Sequence, residues 1–108
     1  MVTEVDLVAF AAAHADGAFV IDVREPYEYV AGHVPGARLI PLGRLPQHAH
    51  ELPAREPVYV ICASGNRSFT AAQSLARHGI DARSVRGGTG GWQSRGLPVV
   101  RGAQASAA

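Results

Sequence analysis

The chain has no lysine, one cysteine, one tryptophan and one methionine, and no apolar run near the roughly 20 residues needed to span a bilayer. Each lack removes a class of protein. One cysteine cannot close an internal disulfide, so a cysteine-stapled scaffold is excluded. Without lysine, and without nucleotide-loop spacing, the cluster Gly87-Gly88-Thr89-Gly90-Gly91 reads as a turn and close packing, not as a phosphate cradle. All 10 basic residues are arginines spread along the chain, and 9 acidic residues leave a net charge of +1, so no field attracts nucleic acid or a membrane surface. His48 and His50 stand two apart in a weak helical segment and face different ways, so no metal is expected. No cofactor is expected either. The N-terminus lacks a basic stretch followed by a long apolar one, and an unpaired thiol survives best among reductants, so the expected setting is cytoplasmic.

What remains is a composition of 47% hydrophobic and 18% charged residues over 108 positions, which suits one globular domain. Thr3 with Asp6 resembles a capping pair, and Leu7, Phe10 and the alanines beyond predict a helix to His14 that ends near Asp16-Gly17. Ala18–Val23 reads as a buried parallel strand interrupted by Asp22. Pro26 opens a short helix to Ala31, Gly32 stops it, His33-Val34-Pro35-Gly36 is a turn, and Ala37–Ile40 is a short strand. Leu42–Leu52 is weakly helical, Val58–Ile61 a strand, the segment from the following loop to Gly79 a helix, and Ile80–Arg86 a last strand. Trp92 is expected to start a final short helix and to anchor the core. Strand alternating with helix predicts an α/β sandwich on a mostly parallel sheet, with helices on both faces. One domain over 1–100 is expected, and a frayed, disordered tail over 101–108.

The chemistry concentrates after the Val58–Ile61 strand, in Cys62-Ala63-Ser64-Gly65-Asn66-Arg67-Ser68. A strand empties into a cysteine, a polar turn follows, and a helix begins where the turn ends. In open parallel sheets this strand end is where ligands bind. The helix would aim its unsatisfied N–H groups at the sulfur, Gly65 would let successive amides turn inward as a nest, and Arg67 would add a permanent charge. A thiol so placed ionises near neutral pH, which makes Cys62 a candidate nucleophile. Asp22, at the end of a buried strand, needs a partner. It either fixes its loop or, with Arg24, shapes the mouth of the site.

This loop resembles the active-site loop of single-domain rhodanese sulfurtransferases, which carry sulfur as a cysteine persulfide. Asp22-Val23-Arg24-Glu25, Gly32-His33-Val34-Pro35-Gly36-Ala37 and Gly87-Gly88 followed by Trp92 agree in the same order. The resemblance implies the rhodanese three-layer sandwich. It also implies ping-pong transfer of a sulfane sulfur from thiosulfate or another donor to a thiol, a protein acceptor or cyanide. Cys62 would carry the sulfur, residues Ala63, Ser64, Gly65, Asn66, Arg67 and Ser68 would bind it, with Arg67 either assisting an anionic donor or stabilising the loop, and Asp22 and Arg24 would stand behind them. His33 is expected to be structural. Relatives that use thiosulfate often have a basic residue after the cysteine, where this chain has Ala63. Two other classes compete: a non-catalytic sensor, sulfur carrier or binding module, and a cysteine phosphatase or arsenate reductase. Phosphatase loops place five residues between cysteine and arginine, whereas here Ala63 to Asn66 make four. The smaller ring suits a sulfur atom better than a phosphoryl group.

Overall fold

The computed structural model describes residues 2–106. In chain order the elements are β1 (Thr3–Val5), α1 (Leu7–Ala15), β2 (Phe19–Asp22), α2 (Pro26–Ala31), β3 (Arg38–Leu39), α3 (Leu45–His48) between two 3-10 turns, β4 (Val58–Ile61), α4 (Asn66–Ala76), β5 (Ala82–Val85) and α5 (Gly88–Ser94). The five strands form one sheet in the order β1-β5-β4-β2-β3, every pair parallel. β4 is central and buried along its whole length, as its unbroken apolar run requires.

A parallel sheet must be covered on both faces, and alternation along β4 divides the core accordingly. Val58, Val60 and Cys62 join Ala71, Ala72 and Leu75 of α4 and Leu45 of α3 in one cluster. Tyr59 and Ile61 join Leu7 and Phe10 of α1 and Trp92 of α5 in the other. Cys62 therefore faces the α4 side. That parity, set by the period of two, brings its sulfur under the first turn of α4.

The helix ends explain the chain path. Asp6 caps α1, its carboxylate accepting from Ala9 N–H at 2.8 Å. Thr3, expected in a capping pair with Asp6, instead lies in β1, which the sequence reading missed. Pro26 occupies the first turn of α2, and Glu25 and Glu28 close a reciprocal capping box there. The last helix begins at Gly88, a turn earlier than the Trp92 start expected.

The frayed tail expected from Arg101 also differs from what is seen. Gly102 N–H donates to Val30 O at 2.9 Å and Gly36 N–H to Ala105 O at 2.8 Å, so residues 101–106 lie across the end of α2 and its turn. Residues 107–108 of that expectation lie outside the described residues. His33 is buried beneath this segment, its ring stacked on Tyr29 at 3.6 Å, with Nδ1 2.8 Å from Tyr29 O and Nε2 2.8 Å from Gln104 O. Both nitrogens are engaged by backbone. No helix among the described residues is long and apolar enough to cross a membrane.

Candidate active site

Cys62 leaves β4 directly beneath the N-terminus of α4. A helix leaves its first N–H groups without i−4 partners, and here they have a use. The N–H of Ser68, in the first turn, points at Cys62 Sγ at 3.3 Å, and the N–H of Gly65 reaches the same sulfur at 3.1 Å. Gly65 makes this possible with φ at +119°, a conformation that costs a side-chain-bearing residue. The neutral thiol in turn donates to Ser68 Oγ at 3.5 Å, the hydroxyl that an ionised sulfur would accept from.

Cys62 itself is 1% exposed, more covered than its place after a strand suggests, while Ser64 and Asn66 of the loop above it are exposed. Burial pushes the thiol up. The Ser68 hydroxyl and the N–H groups of Ser68, Gly65 and Ser64 outweigh that penalty and hold it below its ordinary value. The geometry suits an anionic sulfur that is held by dipoles and screened from bulk water.

Arg67, for which the sequence leaves open assisting an anionic donor or stabilising the loop, is engaged by a carboxylate. Its guanidinium forks onto Glu28 of α2, Nη1 to Oε1 at 2.7 Å and Nη2 to Oε2 at 2.9 Å. The hydrogen bond from Arg67 lowers the Glu28 carboxyl to about 2, and Glu28 in turn raises Arg67. The charge expected to ionise Cys62 is thus answered by a carboxylate 39 positions away in sequence. The pair ties α4 to α2 and closes one side of the loop.

Asp22 and Arg24 are both buried and answer each other. Arg24 donates through Nε to Oδ1 at 3.0 Å and through Nη2 to Oδ2 at 2.8 Å, and a further Nη2 bond reaches Gly32 O at 2.8 Å. Among the described residues neither side chain hydrogen-bonds to residues 62–68. Of the two roles considered, the arrangement matches loop fixation: it fastens the end of β2 to the end of α2, and so sets where Glu28 stands.

The glycine cluster closes the other side. Thr89 N–H donates to Cys62 O at 2.8 Å and Gly90 N–H to Ala63 O at 3.0 Å. A Cβ on Gly88 would collide with Cys62 O and stand 2.6 Å from Ala63 O, and Gly88 has φ at +58°. Glycine here is the condition for α5 to grip the loop's backbone. Ser84 of β5 escaped the sequence reading altogether. It is fully buried, with its hydroxyl 2.8 Å from Ser68 Oγ. Among the described residues no three His, Cys, Asp or Glu side chains gather as a metal site.

Comparison with known proteins gives this fold a family. Residues 7–95 match the model of the rhodanese-like domain. A sulfurtransferase of Allochromatium vinosum is 33% identical over 103 residues, covering 93% of this chain and 96% of that protein. YqhL of Bacillus subtilis, an uncharacterised protein, is 43% identical over 74 residues; these are 68% of this chain and 59% of YqhL. The crystal structure of a rhodanese-related protein from Thermoplasma volcanium superposes with a TM-score of 0.84 at 32% identity, over 91% of this chain and 97% of that one. The cysteine at the strand's end, the loop turned onto its sulfur and the parallel five-stranded sheet therefore have a family: this chain belongs to the rhodanese-like domain proteins.

Proposed function

We propose that this protein is a sulfurtransferase in which Cys62 carries the transferred sulfur as a persulfide. The observation that carries the proposal is the convergence of the Gly65 and Ser68 N–H groups on Cys62 Sγ. The Cys62 thiolate attacks the sulfane sulfur of a donor, forming a new S–S bond as the donor's bond to that sulfur breaks. The electron pair leaves on sulfite when the donor is thiosulfate, or on a thiolate when it is a persulfide. A thiol, a protein thiol or cyanide then takes the outer sulfur, and the Cys62 thiolate returns. No net oxidant is needed. The N–H dipoles of Gly65 and Ser68 stand ready before the charge arrives, so holding it costs little reorganisation; the rest of the loop, residues 63–68, completes the proposed binding site.

The Arg67–Glu28 pair and Ala63 favour a persulfide borne on a thiol over thiosulfate. A dianion would meet a guanidinium whose fork is already filled. The same pair speaks against phosphoryl chemistry, which needs that fork for phosphate oxygens. The working unit in this reading is the domain together with the segment that packs across α2, in a reducing, cytoplasmic setting that keeps Cys62 available.

The test is thiocyanate formation from cyanide with three donors: thiosulfate, mercaptopyruvate and glutathione persulfide. Turnover with at least one donor, abolished in Cys62→Ser, is the expected result, with thiosulfate poorer than glutathione persulfide. No thiocyanate from any donor, or equal turnover by Cys62→Ser, overturns the proposal.

A further inference from the structure

Three hydroxyl or thiol groups lie in a row beneath the loop. Ser84 Oγ is 2.8 Å from Ser68 Oγ, and Ser68 Oγ is 3.5 Å from Cys62 Sγ. Sheet register puts them there. Ser84 pairs with Val60, and Val60 shares a face of β4 with Cys62 two positions on. Ser84 therefore rises on the side of the sheet where Ser68 descends from α4.

Proton counting gives the row a direction. Ser68 has one proton and three neighbours: Gly65 O at 3.1 Å, Ser84 Oγ and Cys62 Sγ. Ser84 is fully buried, and Ser68 Oγ is its hydroxyl's hydrogen-bond partner among the described residues. Were Ser84 to accept from Ser68, its own proton would be stranded in the interior without a partner. When Ser84 donates instead, the Ser68 proton is free for Gly65 O or for the sulfur. Gly65 O can release it, because it also accepts from Phe69 N–H at 3.2 Å.

We propose that Ser84 is a positioning residue for the sulfur chemistry of Cys62: its hydroxyl donates to Ser68 Oγ and so turns the Ser68 proton toward Sγ whenever the sulfur is an anion. This rests on Cys62 being the sulfur-carrying nucleophile. Among the described residues Ser84 makes no hydrogen bond to the sulfur. Its effect passes through Ser68, where a donated bond polarises the one that follows it. The charged groups of the surrounding elements are each engaged elsewhere, Arg67 alone of them interacting with Cys62 and then only at a distance. Arg67 of α4 is closed on Glu28 of α2, Asp22 and Arg24 at the end of β2 are closed on each other, and Arg86 after β5 lies 3.6 Å from Glu4 at the surface.

The experiment is the pH profile of Cys62 alkylation by iodoacetamide in wild type, Ser84→Ala, Ser68→Ala and the double variant. Ser84→Ala is expected to move the midpoint to higher pH by about half a unit and Ser68→Ala by about one. The double variant should coincide with Ser68→Ala, since Ser84 acts only through that hydroxyl. A Ser84→Ala profile superimposed on wild type, or a double variant shifted beyond Ser68→Ala, overturns the proposal. Ser84→Thr and Ser84→Val, matched in volume, read the hydroxyl alone should alanine loosen the strand. Threonine should keep the wild-type midpoint and valine should not; midpoints that move together refute the assignment. Intact mass after glutathione persulfide separates this from the transferase reading. A shift in Ser84→Ala without sulfur uptake in any variant supports the relay from Ser84 through Ser68 to Sγ but refutes the transfer reading, and with it the part of the proposal that assigns the relay to sulfur chemistry. Sulfur uptake with an unmoved Ser84→Ala profile refutes Ser84 alone.

Discussion

The neighbouring strands β2 and β4 end side by side, Asp22 in register with Ile61, yet they finish in opposite electrostatic states. At the end of β2 a full negative charge is met by a full positive one, and the bonds Asp22 makes to Arg24 leave the pair closed on itself and on Gly32 O. At the end of β4 no charged group is a hydrogen-bond partner of the sulfur among the described residues. The sulfur meets N–H groups and a hydroxyl instead. A charge pair is satisfied as built and holds structure. A ring of dipoles around one ionisable atom is satisfied only when an anion forms there, and so is fit for chemistry.

The largest expected effect breaks the closed end. Arg24→Ala strands the Asp22 carboxylate in the interior and should cost about 3–5 kcal/mol of stability, measured by denaturant unfolding. A loss below about 1 kcal/mol would mean that the pair is not what fastens β2 to α2. Next comes the support of the open end. Gly88→Ala places a Cβ against Cys62 O at a positive φ and should cost about 2 kcal/mol or more while slowing Cys62 alkylation. A variant with wild-type melting and wild-type alkylation would show that the grip of α5 on the loop is dispensable.

Arg67 lies between the two types, since it belongs to the loop but is paired like Arg24. Arg67→Ala should therefore move the alkylation midpoint less than Ser68→Ala does. A larger shift would restore arginine as the source of thiolate character. The smallest effect belongs to the pair itself. The Glu28 carboxyl, held at about 2 by Arg67 against an ordinary 4.5, contributes its stability fully above 4.5 and loses it as pH falls through about 2. Both side chains are partly exposed, so the contribution is about 1 kcal/mol or less. Unfolding of wild type and Glu28→Gln across that window should converge at its acid end; curves that stay parallel would contradict the assignment.

The open end was legible in sequence and the closed parts of the molecule much less so. Val58–Ile61 running into Cys62 and then glycine and polar residues announces a strand, a turn and a helix through composition alone. The partners of the site are silent because they meet it across the fold. Glu28 is 39 residues from Arg67, and nothing local distinguishes it from a solvent-facing capping residue. Ser84 occupies one of two alternating faces of β5, and only the register against β4 reveals that its face is the one beneath α4. β1, three residues long, was hidden by the capping signal that overlaps it. Residues 101–106 are held by backbone bonds and by the ring of His33, 71 positions from Gln104, a contact that nothing local announces.

The most direct test of the account is the intact mass of the protein after incubation with glutathione persulfide and then with cyanide. Wild type should gain the mass of one sulfur atom and lose it to cyanide, while Cys62→Ser gains nothing. An unchanged mass in wild type, or a sulfur retained by Cys62→Ser, would contradict the claim that the dipole ring around Cys62 exists to hold transferred sulfur.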